Sequence, residues 1–129
     1  MLFTAGVSEV SRILKCYRSE AEELMRRHVG VCFDTCHALA AGHDFVNDFD
    51  DELANLDNMV GLHNIAVIHL NDSKGALGSR LDRHAHIGEG FIGRDTRQKF
   101  LPHPQLLDKP LILEKHDRET MIEKNLKPV

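Results

Sequence analysis

Cysteine is scarce in this sequence, with only Cys16, Cys32 and Cys36 among 129 residues. An odd number without paired CxxC spacing excludes a disulfide framework and a zinc ribbon, and fits a reducing compartment. A basic balance is also missing. The formal net charge is -4 and the pI about 6.1, so the molecule as a whole does not attract nucleic acid by charge, and any such contact must be local. Long apolar runs are absent as well. Met1 to Val7 is mostly apolar but is followed at once by Ser8, Glu9 and Arg12, which fits neither a secretory signal nor a membrane span. These absences lead to the expectation of an intracellular protein, cytoplasmic or nuclear depending on the organism, with no membrane partner.

With 42% hydrophobic content over 129 residues, the chain suffices for one globular domain spanning 1–129 and is too short for a whole eight-stranded barrel. What it has in excess is histidine. Nine of them, set among Asp and Glu, form a composition suited to metal binding or proton transfer.

From Val7, the residues Val10, Ile13, Leu14, Tyr17, Ala21, Leu24 and Met25 recur at three- and four-residue spacing, which predicts an amphipathic helix ended by Gly30. The apolar run Gly30-Val31-Cys32-Phe33 stops at Asp34 and reads as a strand of a parallel sheet buried on both faces. Helical spacing returns at Leu53, Leu56 and Val60. Ile65-Ala66-Val67-Ile68 is a second strand, ending at His69-Leu70-Asn71-Asp72. A Gly-rich polar stretch from Ser73 to Gly93 is too rich in turn formers for a helix and too long for an idle connection. A short helix around Asp95 to Leu101 ends in a Pro-rich turn, Pro110-Leu111-Ile112-Leu113 forms a third strand ending at Glu114, and a last helix follows from about Asp117 to Leu126. This alternation predicts an α/β fold with right-handed crossovers and a parallel sheet.

All three predicted strands end in potential metal ligands: Asp34 with His37, His69 with Asp72, and Glu114. The carboxyl ends of strands are where barrel enzymes build their sites. Asp34 could instead cap the following turn, with His37 on the surface, and His69 could be a satisfied core histidine. In the long loop, Asp82-Arg83-His84 places two ligands two apart, so an extended backbone aims both the same way. His86 continues the alternation and competes with His84 for that role. Lys74, Arg80 and Arg83 bring positive charge to the same loop, whose glycines Gly75, Gly78, Gly88, Gly90 and Gly93 allow close backbone approach to a phosphate. Carboxylates clustered with imidazoles suit zinc or manganese, the imidazoles favouring zinc, and paired ions can clamp a phosphodiester for hydrolysis. Cys36 need not be a nucleophile, since it can serve as a small core residue.

Five stretches carry a resemblance. Val29-Gly-Val-Cys-Phe-Asp-Thr-Cys-His37, His69-Leu-Asn-Asp-Ser-Lys74, Gly78-Ser-Arg-Leu-Asp-Arg-His84, Ile87-Gly-Glu-Gly90 and Leu111-Ile-Leu-Glu114 together resemble the C-terminal half of endonuclease IV, the zinc-dependent apurinic/apyrimidinic endonuclease family. The resemblance implies part of a (β/α)8 TIM-type barrel, a three-zinc centre, and DNA repair by phosphodiester hydrolysis on the 5′ side of abasic sites. It implies that His37, Asp82 and His84 form one complete zinc site. Asp34, His69 and Glu114 would supply part of a second. Lys74, Arg80 and Arg83 would contact DNA. The family's bridging glutamate, in a Glu-Asn-Thr-Ala-Gly motif, has its nearest match in Leu2-Phe3-Thr4-Ala5-Gly6, where leucine cannot bridge two cations. Full trinuclear catalysis is therefore not expected of this chain alone. An incomplete barrel also leaves unpaired strand edges, which a complementary N-terminal half or self-association would cover. The alternatives are a non-catalytic zinc- or DNA-binding module derived from the family, acting as a partner subunit, and a metal-dependent sugar isomerase of similar architecture.

Overall fold

The computed structural model describes residues 2–3 and 29–114, so the helices expected from Val7 and from about Asp117 lie outside the described residues. The strands β1 (Leu2–Phe3), β2 (Gly30–Asp34), β3 (Ile65–His69) and β6 (Leu111–Ile112) form a parallel sheet in the order β1-β2-β3-β6. The short strands β4 (Asp72–Ser73) and β5 (His84–Ala85) pair with each other, antiparallel, above the end of β3. Three α-helices, α1 (Thr35–Ala40), α2 (Phe49–Met59) and α3 (Gly93–Phe100), and a 3-10 turn at Leu62–Asn64 complete the described residues. Among the described residues no helix is long and apolar enough to cross a membrane. The parallel α/β alternation read from the sequence is therefore present, as an open part of a barrel.

Val31, Cys32 and Phe33 are all buried, which is why β2 reads as a continuous apolar run rather than an alternating one. On one side of the sheet, Phe33, Phe45, Phe49 and Phe100 pack ring against ring, with centroids 4.9 to 6.2 Å apart. Leu53 and Leu56 of α2 join Ile65 and Ile68 of β3 in the same core. His43 Nδ1 lies 3.0 Å from Glu52 Oε2 and ties the turn after α1 to α2.

The register between β2 and β3 is irregular. Val31 pairs with Ile65 but Cys32 pairs with Val67, so the exposed Ala66 is an extra residue in β3. Counting on from Val31 without this slip would set Asp34 opposite Ile68. With it, Asp34 pairs with His69, and His69 in turn pairs with Ile112 of β6. Glu114 stands two residues beyond Ile112 on the same face. The three strand ends are thus brought into line.

Three differences from the sequence reading have simple causes. The helix expected from Asp95 starts at Gly93, whose φ of 78° suits only glycine well, and the third strand is confined to Leu111–Ile112. The loop from Ser73 to Gly93 contains the β4–β5 pair, too short at two residues per strand to show as periodicity. Phe100 is 1% exposed and touches three other rings, so Phe100→Ala is expected to cost about 3–5 kcal/mol, read as a lower urea midpoint at unchanged slope.

Candidate metal centre

Asp34 divides its two oxygens between structure and site. Oδ1 accepts from the His37 backbone N–H at 2.9 Å and caps α1, while Oδ2 accepts from Asn71 Nδ2 at 2.7 Å and lies 3.6 Å from His69 Nδ1. The cap read for Asp34 in the sequence is present, and its second oxygen faces the cavity. His69 Nδ1 also meets Glu114 Oε1 at 2.9 Å. His84, on β5, brings Nε2 to 3.9 Å from Asp34 Oδ2 and 3.8 Å from Asp82 Oδ1, and Nδ1 to 3.6 Å from Glu114 Oε2. His37 Nδ1 stands 3.5 Å from Asp82 Oδ2.

Asp34, His37, His69, Asp82, His84 and Glu114, with Arg83, line one cavity of about 310 Å³. Six of the candidate ligands are therefore gathered in one cavity, whereas Asp72 and His86 do not line it. The grouping differs in one respect from the expected sets. Asp34, His69 and Glu114 bring donor atoms within 4.8 Å of one another, as do Asp34, Cys36 and His84. His37, Asp82 and His84 are instead joined through the two oxygens of Asp82. The side chains of His37 and Asp82 stand at the rim, 39% and 56% exposed, whereas that of His84 is 11% exposed and reaches into the Asp34 group.

The donor chemistry fits zinc. Carboxylate oxygens and imidazole nitrogens are its usual ligands, and donors sharing a tetrahedral ion at roughly 2.1 Å stand roughly 3.4 Å from each other. Most of the separations above, at 3.5 to 3.9 Å, lie close to that spacing.

Asp72 requires correction. It reads in the sequence as a strand-end ligand alongside His69, but it is 1% exposed and its carboxylate accepts from the backbone N–H groups of Ser73, Gly88, Gly90, Ile92 and Gly93 at 2.8 to 3.3 Å. A carboxylate turned inward onto amides holds the loop, not an ion. Gly90 belongs to this arrangement, since a Cβ there would collide with the Ser73 carbonyl oxygen. His86 does not line the cavity, which leaves His84 as the loop's imidazole at the site.

Sequence reasoning missed Asn71. Only 4% exposed, it donates to Asp34 from Nδ2, which also lies 3.4 Å from His84 Nε2, and it accepts from the Glu114 N–H at 3.0 Å through Oδ1. One amide thus joins β2, β5 and the residues after β6. Its signal was a polar residue between two candidate ligands. Thr35 Oγ1 donates to the Asn71 carbonyl at 2.6 Å and fixes that segment against α1.

Cys36 is fully buried, with Sγ 3.6 Å from Asp82 Oδ1 and 3.5 Å from the Arg83 carbonyl. Burial pushes its thiol up to about 11, a hydrogen bond with Ser73 works the other way, and Asp34 and Asp82 add to the rise. It holds the loop as a thiol, consistent with a packing role rather than a nucleophilic one. Of the three basic residues expected at DNA, all exposed, Arg83 lines the cavity and donates from Nη1 to the Asp82 carbonyl at 3.2 Å. Lys74 N–H bonds the Arg83 carbonyl at 2.8 Å, and Arg80, at φ 58°, bonds the Ala40 carbonyl at the end of α1.

Two measurements check these assignments. Asp72→Ala strands several buried amides, so it is expected to destabilise by about 3–5 kcal/mol in denaturant unfolding and to deprotect the Gly88 to Gly93 amides in hydrogen exchange. The folded chain should leave Cys36 unalkylated by iodoacetamide at pH 8. Because folding raises this thiol's pKa from 9.0 to about 11, its contribution to stability is full below pH 9 and is lost as pH rises toward 11.

Known proteins resemble the chain over most of its length. A family model described as xylose isomerase-like TIM barrel matches residues 17–127. A probable endonuclease 4 of Clostridium botulinum is 46% identical over 106 residues, which are 82% of this chain and 36% of that protein. A probable endonuclease 4 of Bacillus velezensis is 53% identical over 87 residues, 67% of this chain and 29% of that protein. The crystal structure of endonuclease IV from Thermus thermophilus is 39% identical with a TM-score of 0.75, over 91% of this chain and 40% of that one. The chain thus spans about a third of the length of the curated relatives it matches. With the site at the strand ends and the match over most of its residues, the chain belongs to the xylose isomerase-like TIM barrel family, and its similarity there is to endonuclease IV.

Proposed function

We propose that this chain carries part of a zinc-dependent DNA-repair centre of the endonuclease IV type, acting on the phosphodiester 5′ to an abasic site. The observation that carries the reading is the convergence of Asp34, His37, His69, Asp82, His84 and Glu114 on one cavity, in a chain 46% identical to a probable endonuclease 4. Asp34, His69 and Glu114 would hold one zinc ion, with His84 at its border, and His37, Asp82 and His84 a second. Bound zinc would supply a Lewis acid to the phosphodiester and lower the pKa of water toward neutrality.

The chain's own groups prepare the site for this. Asn71 fixes the Asp34 oxygen and the Glu114 backbone, so that two ligands keep their places before any ion arrives. Arg83, at the cavity wall, and the exposed Lys74 and Arg80 bring positive charge to the loop of a chain of net charge -4, suited to phosphates flanking the lesion. The endonuclease 4 relatives favour this reading over a sugar isomerase of the same architecture.

The purified chain is expected to bind zinc and a synthetic abasic-site duplex. His84→Ala should lower both zinc content and any chelator-sensitive incision by about tenfold or more, and Asn71→Ala should weaken zinc binding about 10–100-fold while the far-ultraviolet dichroism is kept. A chain that takes up no zinc at micromolar free metal overturns the reading. Zinc and DNA binding with no incision would support the non-catalytic module instead.

A further inference from the structure

Phe33, Phe45, Phe49 and Phe100 are buried, at most 6% exposed, whereas Phe91 is 59% exposed. Its position is not that of a loosely held loop tip. The Phe91 N–H bonds the Ser73 carbonyl at 2.8 Å, and the amides of Gly88, Gly90, Ile92 and Gly93 on either side are held by the buried Asp72 carboxylate. Its neighbour Ile92 is buried at 7% exposure. The backbone that presents the ring is therefore fixed while the ring itself faces water.

Its place is also close to the metal centre. Ser73, to which Phe91 bonds, pairs across β4–β5 with His84, so the Phe91 backbone lies two strand spacings, roughly 10 Å, from that ligand. The segment carrying it interleaves basic and exposed apolar residues, Lys74, Leu77, Arg80, Leu81, Arg83 and Phe91, with the acidic Asp82 and Glu89 among them, and Leu77 and Leu81 are each 47% exposed. Charge that tracks a phosphate backbone, beside a flat apolar ring, is the combination that binds unstacked nucleotides. An abasic position leaves the adjoining bases without a stacking partner, which makes such bases available to a ring.

We propose that Phe91 is a stacking platform for a nucleobase unstacked at the lesion, so that the loop recognises the damaged strand through a base as well as through its phosphates. This rests on the DNA-binding reading above. A ring held in advance on fixed backbone loses little freedom on binding, which is what makes an aromatic anchor effective.

The sequence contains no tryptophan, so Phe91→Trp creates a single-tryptophan reporter. Titration with abasic-site duplex is expected to quench its emission more strongly than intact duplex does, at concentrations where anisotropy of labelled DNA shows binding. Phe91→Ala should bind the abasic duplex about tenfold more weakly than the parent, or weaker still, since stacking on one base carries about that much or more. If DNA binds but the emission of the Phe91→Trp variant is unchanged and the alanine variant keeps full affinity, the platform is wrong and the DNA reading stands. If the parent chain binds no abasic DNA, both are overturned. If Phe91→Ala keeps its DNA affinity but changes the chain's sedimentation, the ring serves a protein contact and the proposal is overturned.

Discussion

The meeting of Asp34, His69 and Glu114 depends on the slip in register between β2 and β3. In a parallel pair, side chains alternate between faces, so a displacement of one residue sends the whole strand end to the other side of the sheet. The extra residue Ala66 sets Asp34 beside His69 in place of Ile68, and with that the carboxylate, the imidazole and, one strand on, Glu114 share a face. Upstream of the slip the same strands present Val31 and Ile65 to the core. A single irregularity thus lets one pair of strands satisfy two demands, packing at the base and ligand assembly at the mouth.

Around that line of ligands, the carboxylates are separated by what surrounds each of them. Asp72 is taken into the interior by five backbone amides and becomes the centre of a loop. Asp34 gives one oxygen to a helix cap and keeps the other for the site. Asp82, on the rim, keeps both oxygens directed at imidazoles, one toward His37 and one toward His84, with the Cys36 thiol against it. The order of these roles follows from depth: the deeper the carboxylate, the more of its hydrogen-bonding capacity the backbone claims, because amides withdrawn from water must find acceptors.

Much of this was legible in the residues. Three apolar runs marked three of the sheet's strands, and the polar residue ending each marked the mouth, because loops carry function where strands stop. Alternation pointed to Asp82 and His84 but left His86 competing, and the cavity lining separates the two histidines. Asp72 was misread because an acidic residue after a strand looks the same in sequence whether it faces an ion or five amides. The difference lies in the glycines near residue 90, distant in sequence and decisive in space. Asn71 was missed for a related reason: its value comes from joining Asp34, His84 and Glu114, which are 37, 13 and 43 residues away along the chain. The register slip leaves no trace in periodicity, since Ile65, Ala66, Val67 and Ile68 read equally well as an unbroken strand.

The side chains lining the cavity differ in how firmly the sheet holds them. Asp34 and His69 sit on the two central strands of the described sheet, and His84 is gripped through its β5 pairing with Ser73. Glu114 follows β6, a two-residue edge strand whose Leu111 and Ile112 remain 39% and 44% exposed. Its ties are the N–H bond to Asn71, the 2.9 Å contact with His69 and the 3.6 Å contact with His84. An edge strand with an apolar surface gains both hydrogen bonds and buried area when something pairs with it. Among the described residues, Glu114 is thus the group of this cluster whose place depends most on the edge of the sheet.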